Sequence, residues 1–270
     1  MTEKLLTNKK NGMSMLLLFL AVIAAAAVAI IVGANLHLLG LIVAGVIVIS
    51  LIWIPMIGLR ILKPQEALVL TLFGRYYGTL KGEGYYYVNP FCTGVNPAAK
   101  TRLSQSGDVK TLGIKATTGD SSASLEVDTT GKKLSLKIMT LSNNRQKIND
   151  CLGNPVEIGI AVTWRIIDTA KAVFNVDNYK EFLSLQCDSA LRNIVRLYPY
   201  DVAPNVDTTG DGIADDGSLR GSSELVASRI RGEIQQRVAE AGIEIIEARI
   251  TYLAVSYTHL RAHETSAHLV

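Results

Sequence analysis

The sequence predicts an α+β protein, with an N-terminal transmembrane helical hairpin followed by an antiparallel sheet with packed helices. Three observations predict it. Two uncharged apolar runs, residues 13–34 and 38–59, adjoin near the N-terminus. Strand-like alternation then recurs up to Ile166. Two amphipathic helical stripes and a last strand close the chain, and strands followed by helix–helix–strand argue for α+β packing.

The hairpin comes first. Each apolar run is about 20 residues long, enough to cross about 30 Å of hydrocarbon as a helix. Asn35, Leu36 and His37 alone separate them, so only an antiparallel pair fits, with His37 as a polar turn residue. Lys4, Lys9 and Lys10 precede the pair, Arg60 and Lys63 follow it, and the turn carries no Lys or Arg. The positive-inside rule therefore places both ends in the cytoplasm. A cleaved signal peptide needs a polar, small-residue cleavage region, and none precedes the second run. Pro55 lies inside that run. It either kinks the helix or lets the hairpin dip into one leaflet. Trp53 suits an interface position.

Residues 67–73 are rich in strand formers, Gly74 breaks them, and 76–80 reads as a second strand. After a turn at 81–84, residues 85–88 form a third strand closed by Asn89-Pro90. Side chains alternate along a strand, so Tyr85 and Tyr87 share one face and Tyr86 takes the other. Residues 104–131 are polar and read as a loop or small hairpin inserted into the fold. Alternation returns at Leu134, Leu136 and Ile138. The clearest strand follows a turn at 150–155: Val156, Ile158, Ile160, Val162, Trp164 and Ile166 share one face.

Asp168 or Thr169 caps a short helix reaching Phe174. Asn178 caps a longer one, with Glu181 as its capping-box partner. Phe182, Leu183, Cys187, Ala190, Leu191, Ile194 and Val195 form its apolar stripe, and Pro199 lies beyond its end. A third helix, residues 223–241, carries Ile230, Ile234, Val238 and Ala241, and Gly242 stops it. Residues 243–253 return to strand.

An ordered series of segments now resembles a known family. It comprises Pro64-Gln65-Glu66 with ALVLTLFGRYYGTLKGEGYYYVNPF, then GNPVEIGIAVTWRIIDTAKAVFNVDNYKEF, ALRNIVRLYPYD, and LRGSSELVASRIRGEIQQRVAEAGIEIIEARITYLA. These are similar to the SPFH superfamily of stomatins, prohibitins and flotillins, in its bacterial stomatin-like branch. The resemblance implies a membrane-anchored scaffold that self-associates into a ring or dome. Such assemblies organise patches of membrane lipid and regulate partner proteins, often membrane proteases. It implies no catalytic residues, cofactor or metal. It also implies a bacterial inner membrane with the SPFH domain in the cytoplasm. Residues 1–12 are then a cytoplasmic N-terminus, 13–62 the membrane hairpin and 63–254 the SPFH domain with its insertion near 104–131. The tyrosine run matches the family's strand near the bilayer, so Tyr85, Tyr86 and Tyr87 are expected to pack in the strand and, with Trp53, to lie at the headgroup level. A base-stacking platform needs interleaved cations, and only Arg75 and Lys81 are near.

The chain departs from the family after Ala254. Residues 255–270 read VSYTHLRAHETSAHLV, without the heptad pattern of the family's long assembly helix. They resemble a translated sequencing-adapter stretch and are read as a non-native tail. His259 and His263 share a helical face there, but HExxH is absent.

Two other function classes remain in view. Asp207, Asp211 and Asp215 in DTTGDGIADD place carboxylates four residues apart and make a weak calcium candidate, as in a calcium-responsive membrane sensor. Thr209 replaces an expected acid, and no Glu follows at the twelfth position. A membrane-tethered hydrolase or metalloenzyme is the other class, and no Ser/His/Asp set or phosphate loop supports it. The net charge of +3 is too small to argue for nucleic acid. Cys92, Cys151 and Cys187 form no CxxC pair and are read as ordinary thiols. Arg229, Arg231, Glu233, Arg237 and Glu240 alternate in sign, as an exposed face or a subunit contact does.

Overall fold

A computed structural model describes residues 2–6, 10–101, 129–143, 145–201 and 217–255. The chain divides into two units, Met1–Ala99 with Asp128–Leu136, and Lys100–Val127 with Lys137–Val270.

The first unit opens with β1 (Lys10–Asn11) and α1 (Gly12–Asn35), then α2 (Leu39–Leu51) and α3 (Trp53–Met56). Pro55 has no N–H to give the carbonyl of Leu51, and the second helix breaks at Ile52. The expected kink is thus a break between α2 and α3. Next come β2 (Leu59–Leu62), β3 (Glu66–Leu72), β4 (Arg75–Lys81), β5 (Gly84–Tyr87) and β6 (Cys92–Gly94), and later β7 (Leu134–Ser135). They form two sheets, ordered β1-β5-β2 and β4-β3-β6, with β7 also on β3.

The Pro-Gln-Glu stretch gains a physical reading here. Gln65 adopts a left-handed φ of 59°, and the Glu66 N–H donates to the Lys63 carbonyl at 3.2 Å. Proline followed by a left-handed residue makes a tight turn. The Glu66 carboxylate ties it down, accepting from the Lys63 N–H at 3.1 Å and from Lys133 Nζ at 3.0 Å. Burial alone would raise the Glu66 carboxyl, but these two cations and their hydrogen bonds outweigh it and hold it below its ordinary value. The core of this unit gathers Leu62, Leu68, Leu70, Leu80, Val88 and Cys92.

The second unit contains β8 (Met139–Ser142), β9 (Gln146–Asn149), β10 (Pro155–Ile166), α4 (Thr169–Phe174), α5 (Tyr179–Val195), α6 (Ser223–Val238) and β11 (Ile243–Val255). Its antiparallel sheet is ordered β11-β10-β8, with β9 also on β10. Every residue assigned to the inner face of β10, from Val156 to Ile166, is buried. The Asp168 side chain caps α4, accepting from the Lys171 N–H at 3.0 Å, and Asn178 caps α5. The α5 stripe is buried from Leu183 to Val195, while Phe182 is half-buried. In α6 Val226 joins the expected stripe, and Gly242 ends the helical stretch in the left-handed conformation.

One expected strand is corrected. Leu134, Leu136 and Ile138 do not share a face in a single strand. The chain leaves β3 after Ser135 and joins β10 at Met139, so the phase resets between two sheets. Ile138 is left 60% exposed, and Met139 and Leu141 are buried instead. Alternation cannot reveal a change of sheet partner within five residues.

Candidate membrane-anchoring site

The strand β5 holds both feet of the hairpin. β1, just before α1, pairs with one edge of β5 through Lys10↔Tyr87 and Asn11↔Tyr86. β2, just after α3, pairs with the other edge through Leu59↔Tyr87, Arg60↔Tyr86 and Ile61↔Tyr85. Gly58, between α3 and β2, accepts from the Val88 N–H at 2.9 Å. The hairpin therefore leaves and re-enters the same three-stranded sheet.

The tyrosines divide as strand geometry requires. Tyr85 and Tyr87 face α1: Tyr85 packs on Gly12, and the Tyr87 ring meets Phe19 edge-on at 5.7 Å and 65°. Tyr86 points the other way, packs against the core and donates its hydroxyl to the Glu83 carbonyl at 2.7 Å. Trp53 stands on α3 and is 67% exposed.

Along α1 the buried residues are Gly12, Phe19, Ala26 and Gly33, seven apart. This spacing makes one seam. Its first half meets β5, and its second half meets α2. Gly45 of α2 sits at the closest approach: a Cβ there would lie 2.5 Å from Ile30 Cγ1 and 3.0 Å from the Ala26 carbonyl oxygen. Small residues at such a seam let two helices touch where lipid, not water, surrounds them. Outside it the helices are apolar and open, with Leu17, Leu18, Val28, Ile31, Val43, Val46 and Ile47 all exposed. Gly12–Asn35 and Leu39–Met56 are each long and apolar enough to cross a membrane. An exposed apolar surface of this kind marks a membrane or protein contact.

A third strap was missed by sequence reasoning. Residues 2–6 run along the outer edge of β4. The Thr79 N–H donates to the Lys4 carbonyl at 2.8 Å, and the Leu6 N–H donates back to Thr79 at 3.1 Å. Lys81 Nζ meets Glu3 at 2.7 Å. Gly78 makes room, since a Cβ there would come within 3.0 Å of the Leu6 side chain. A five-residue stretch has no period to read, and its partner lies more than 70 residues away. A glycine inside a strand was the available signal, because it marks a close backbone approach.

In the second unit, a polar cluster joins α5 to the β8–β9 turn. Asp188 Oδ1 accepts from Asn143 Nδ2 at 2.5 Å and from Gln146 Nε2. Burial raises the Asp188 carboxyl above its ordinary value, although Arg192 and both amides pull it down. Burial, with Asp188 next to it, pushes the Cys187 thiol up to about 12, as in an inert core residue. From the sign-alternating helix, Arg237 pairs with Glu233 at 2.6 Å and donates to Ser189 at 2.6 Å, which bolts α6 to α5. Arg231 and Gln235 turn to the β11 backbone at Ile245 and Ile243. Asp207, Asp211 and Asp215 lie outside the described residues, as do His259 and His263.

The sequence profile of the SPFH domain / Band 7 family matches residues 60–256, from β2 through the end of β11. The chain belongs to the SPFH domain / Band 7 family. Among curated proteins nothing matches significantly. SPFH proteins are generally membrane-associated and scaffold-like. In this SPFH chain the matched domain starts at the strand that receives the hairpin, and the two apolar helices lie immediately before it.

Proposed function

We propose that this SPFH protein is a membrane-anchored oligomeric scaffold. It organises patches of membrane and regulates partner membrane proteins such as proteases. The observation that carries the anchor is the pairing of β1 and β2 on opposite edges of β5. Two feet held on one small sheet must lie on one side of the bilayer, so the hairpin either crosses twice or dips and returns. The excess of Lys and Arg at both feet supports the cytoplasmic side, and the resemblance to bacterial stomatin-like proteins supports a bacterial inner membrane. Self-association into a ring or dome is supported by the family resemblance alone and by no described contact.

The test is mass photometry of full-length protein extracted in nanodiscs at native abundance. The expected result is discrete particles many subunits in mass. Monomers under those conditions would end the scaffold reading. Protease protection in inverted membrane vesicles checks the side: residues after Lys63 should be digested and the hairpin spared.

A further inference from the structure

We propose that Phe73 and Phe91 form an aromatic wedge that enters the headgroup zone of the bilayer beside the hairpin. The inference rests on the membrane-anchor reading and extends it to a second, independent contact. Phe73 is 83% exposed and Phe91 58%. Their rings stack on each other at 6.2 Å and 26°. The two residues adjoin the paired Leu72 and Cys92 of β3 and β6, so the sheet itself presents them together.

The backbone at Phe73 argues against an accidental exposure. Phe73 and Gly74 are the two central residues of the β3–β4 turn, with φ of 49° and 81°. A two-residue turn with both φ positive favours Asn or Gly at its first position. A bulky residue held there is strained, and such strain collects where a side chain is needed for contact. Phe91 is fixed in its own turn, its N–H donating to Asn89 Oδ1 at 3.1 Å.

The occupant follows from the position of Phe91. It lies three residues past Val88, which is hydrogen-bonded to Gly58 at the hairpin's foot. Three residues span at most about 10 Å, which keeps Phe91 close to the foot of the hairpin, and a membrane that receives the hairpin is the apolar surface nearest to it. Exposed Arg75 stands two residues past Phe73 and, with Leu72, Phe73, Tyr76 and Tyr77, lines a shallow groove. Aromatic rings with a neighbouring cation suit a zone that is apolar below and anionic above.

Full-length protein in nanodiscs containing anionic phospholipid tests the wedge. Phe73→Trp is made on a Trp53→Phe background. Trp164, wholly buried, supplies a constant signal. The expected result is that the indole at position 73 loses emission when the acyl chains are brominated and is shielded from aqueous iodide. Quenching by iodide without quenching by bromolipid overturns the proposal. Shielding from both also overturns it, since a protein surface then covers the site. Native Trp53 is the control for the anchor: if it is quenched by bromolipid and position 73 is not, the wedge alone has failed. If Trp53 escapes as well, the anchor reading falls and the wedge with it. Phe91→Trp reads the same contact from outside the strained turn, should Phe73→Trp not fold.

Discussion

The hairpin and the strands β10 and β11 are all rich in Val, Ile and Leu, arranged for different solvents. In β10 every second residue is apolar and buried, and the residues between reach the other face. In α1 and α2 apolar residues run all round, and only a seam of Gly, Ala and Phe is buried. The first pattern hides a surface from water. The second leaves the surface out and hides mainly Gly and Ala, with Phe19 at the β5 end of the seam, as suits surroundings as apolar as the side chains. Large buried side chains hold the one region together, and the lack of a side chain at Gly33 and Gly45 lets the two helices of the other meet.

The comparison breaks first at Trp164. It is wholly buried, edge-on to Tyr179 at 6.2 Å. Trp164→Ala should cost about 3–5 kcal/mol through the cavity it leaves. Denaturant unfolding followed by circular dichroism measures this, and a loss below about 1 kcal/mol would show that this core is not the stabilising centre. The hairpin should respond to the opposite change. Gly45→Leu adds volume where a Cβ already collides with Ile30, and overpacking costs about 1–3 kcal/mol. Cysteine crosslinking between α1 and α2 should weaken in that variant, while the denaturant midpoint of the second unit stays where it was.

These two regions were also read from the sequence with unequal ease, for the same physical reason. The hairpin needs no partner to be recognised, because its length and lack of charge suffice. β10 and α5 carry complete periods, 2 and 3.6, and were placed within a residue or two. Contacts between distant short stretches were not legible. β1, β2 and β9 are too short to hold a pattern, and the strap at residues 2–6 is defined only by the edge of β4. At the candidate site, alternation gave the two faces of the tyrosine strand but not what each face meets. It takes α1 folding back on β5 to bring Phe19 to Tyr87. The wedge was missed because Phe73 reads as the last residue of a strand until its φ is known.

Phe73→Asn sharpens the contrast in a smaller way. Asn suits the left-handed position, and the change removes a large exposed ring along with its stack on Phe91. The gain in the turn and the loss of the stack are each about 1 kcal/mol and oppose one another. Thermal unfolding in detergent should therefore barely move. A drop comparable to that of Trp164→Ala would mean that Phe73 packs as a core residue and is not a free surface.

The smallest expected effect lies in the second unit's polar cluster, and its sign follows from burial. Burial lifts the Asp188 carboxyl above 3.8 in the folded chain, against the pull of Arg192, Asn143 and Gln146. A raised acid favours folding while it is protonated. Its contribution is fully present below 3.8 and is lost as pH rises through the folded value. Asp188→Asn keeps an Oδ1 to accept from Asn143 and Gln146, and it has no charge to desolvate at any pH. The native chain should lose stability relative to the variant as pH climbs from just above 3.8, after which the two profiles run parallel. Denaturant midpoints across that range decide it. If the native chain instead gains on the variant as pH rises, Arg192 and the two amides outweigh burial, and the carboxylate itself fastens α5 to the β8–β9 turn.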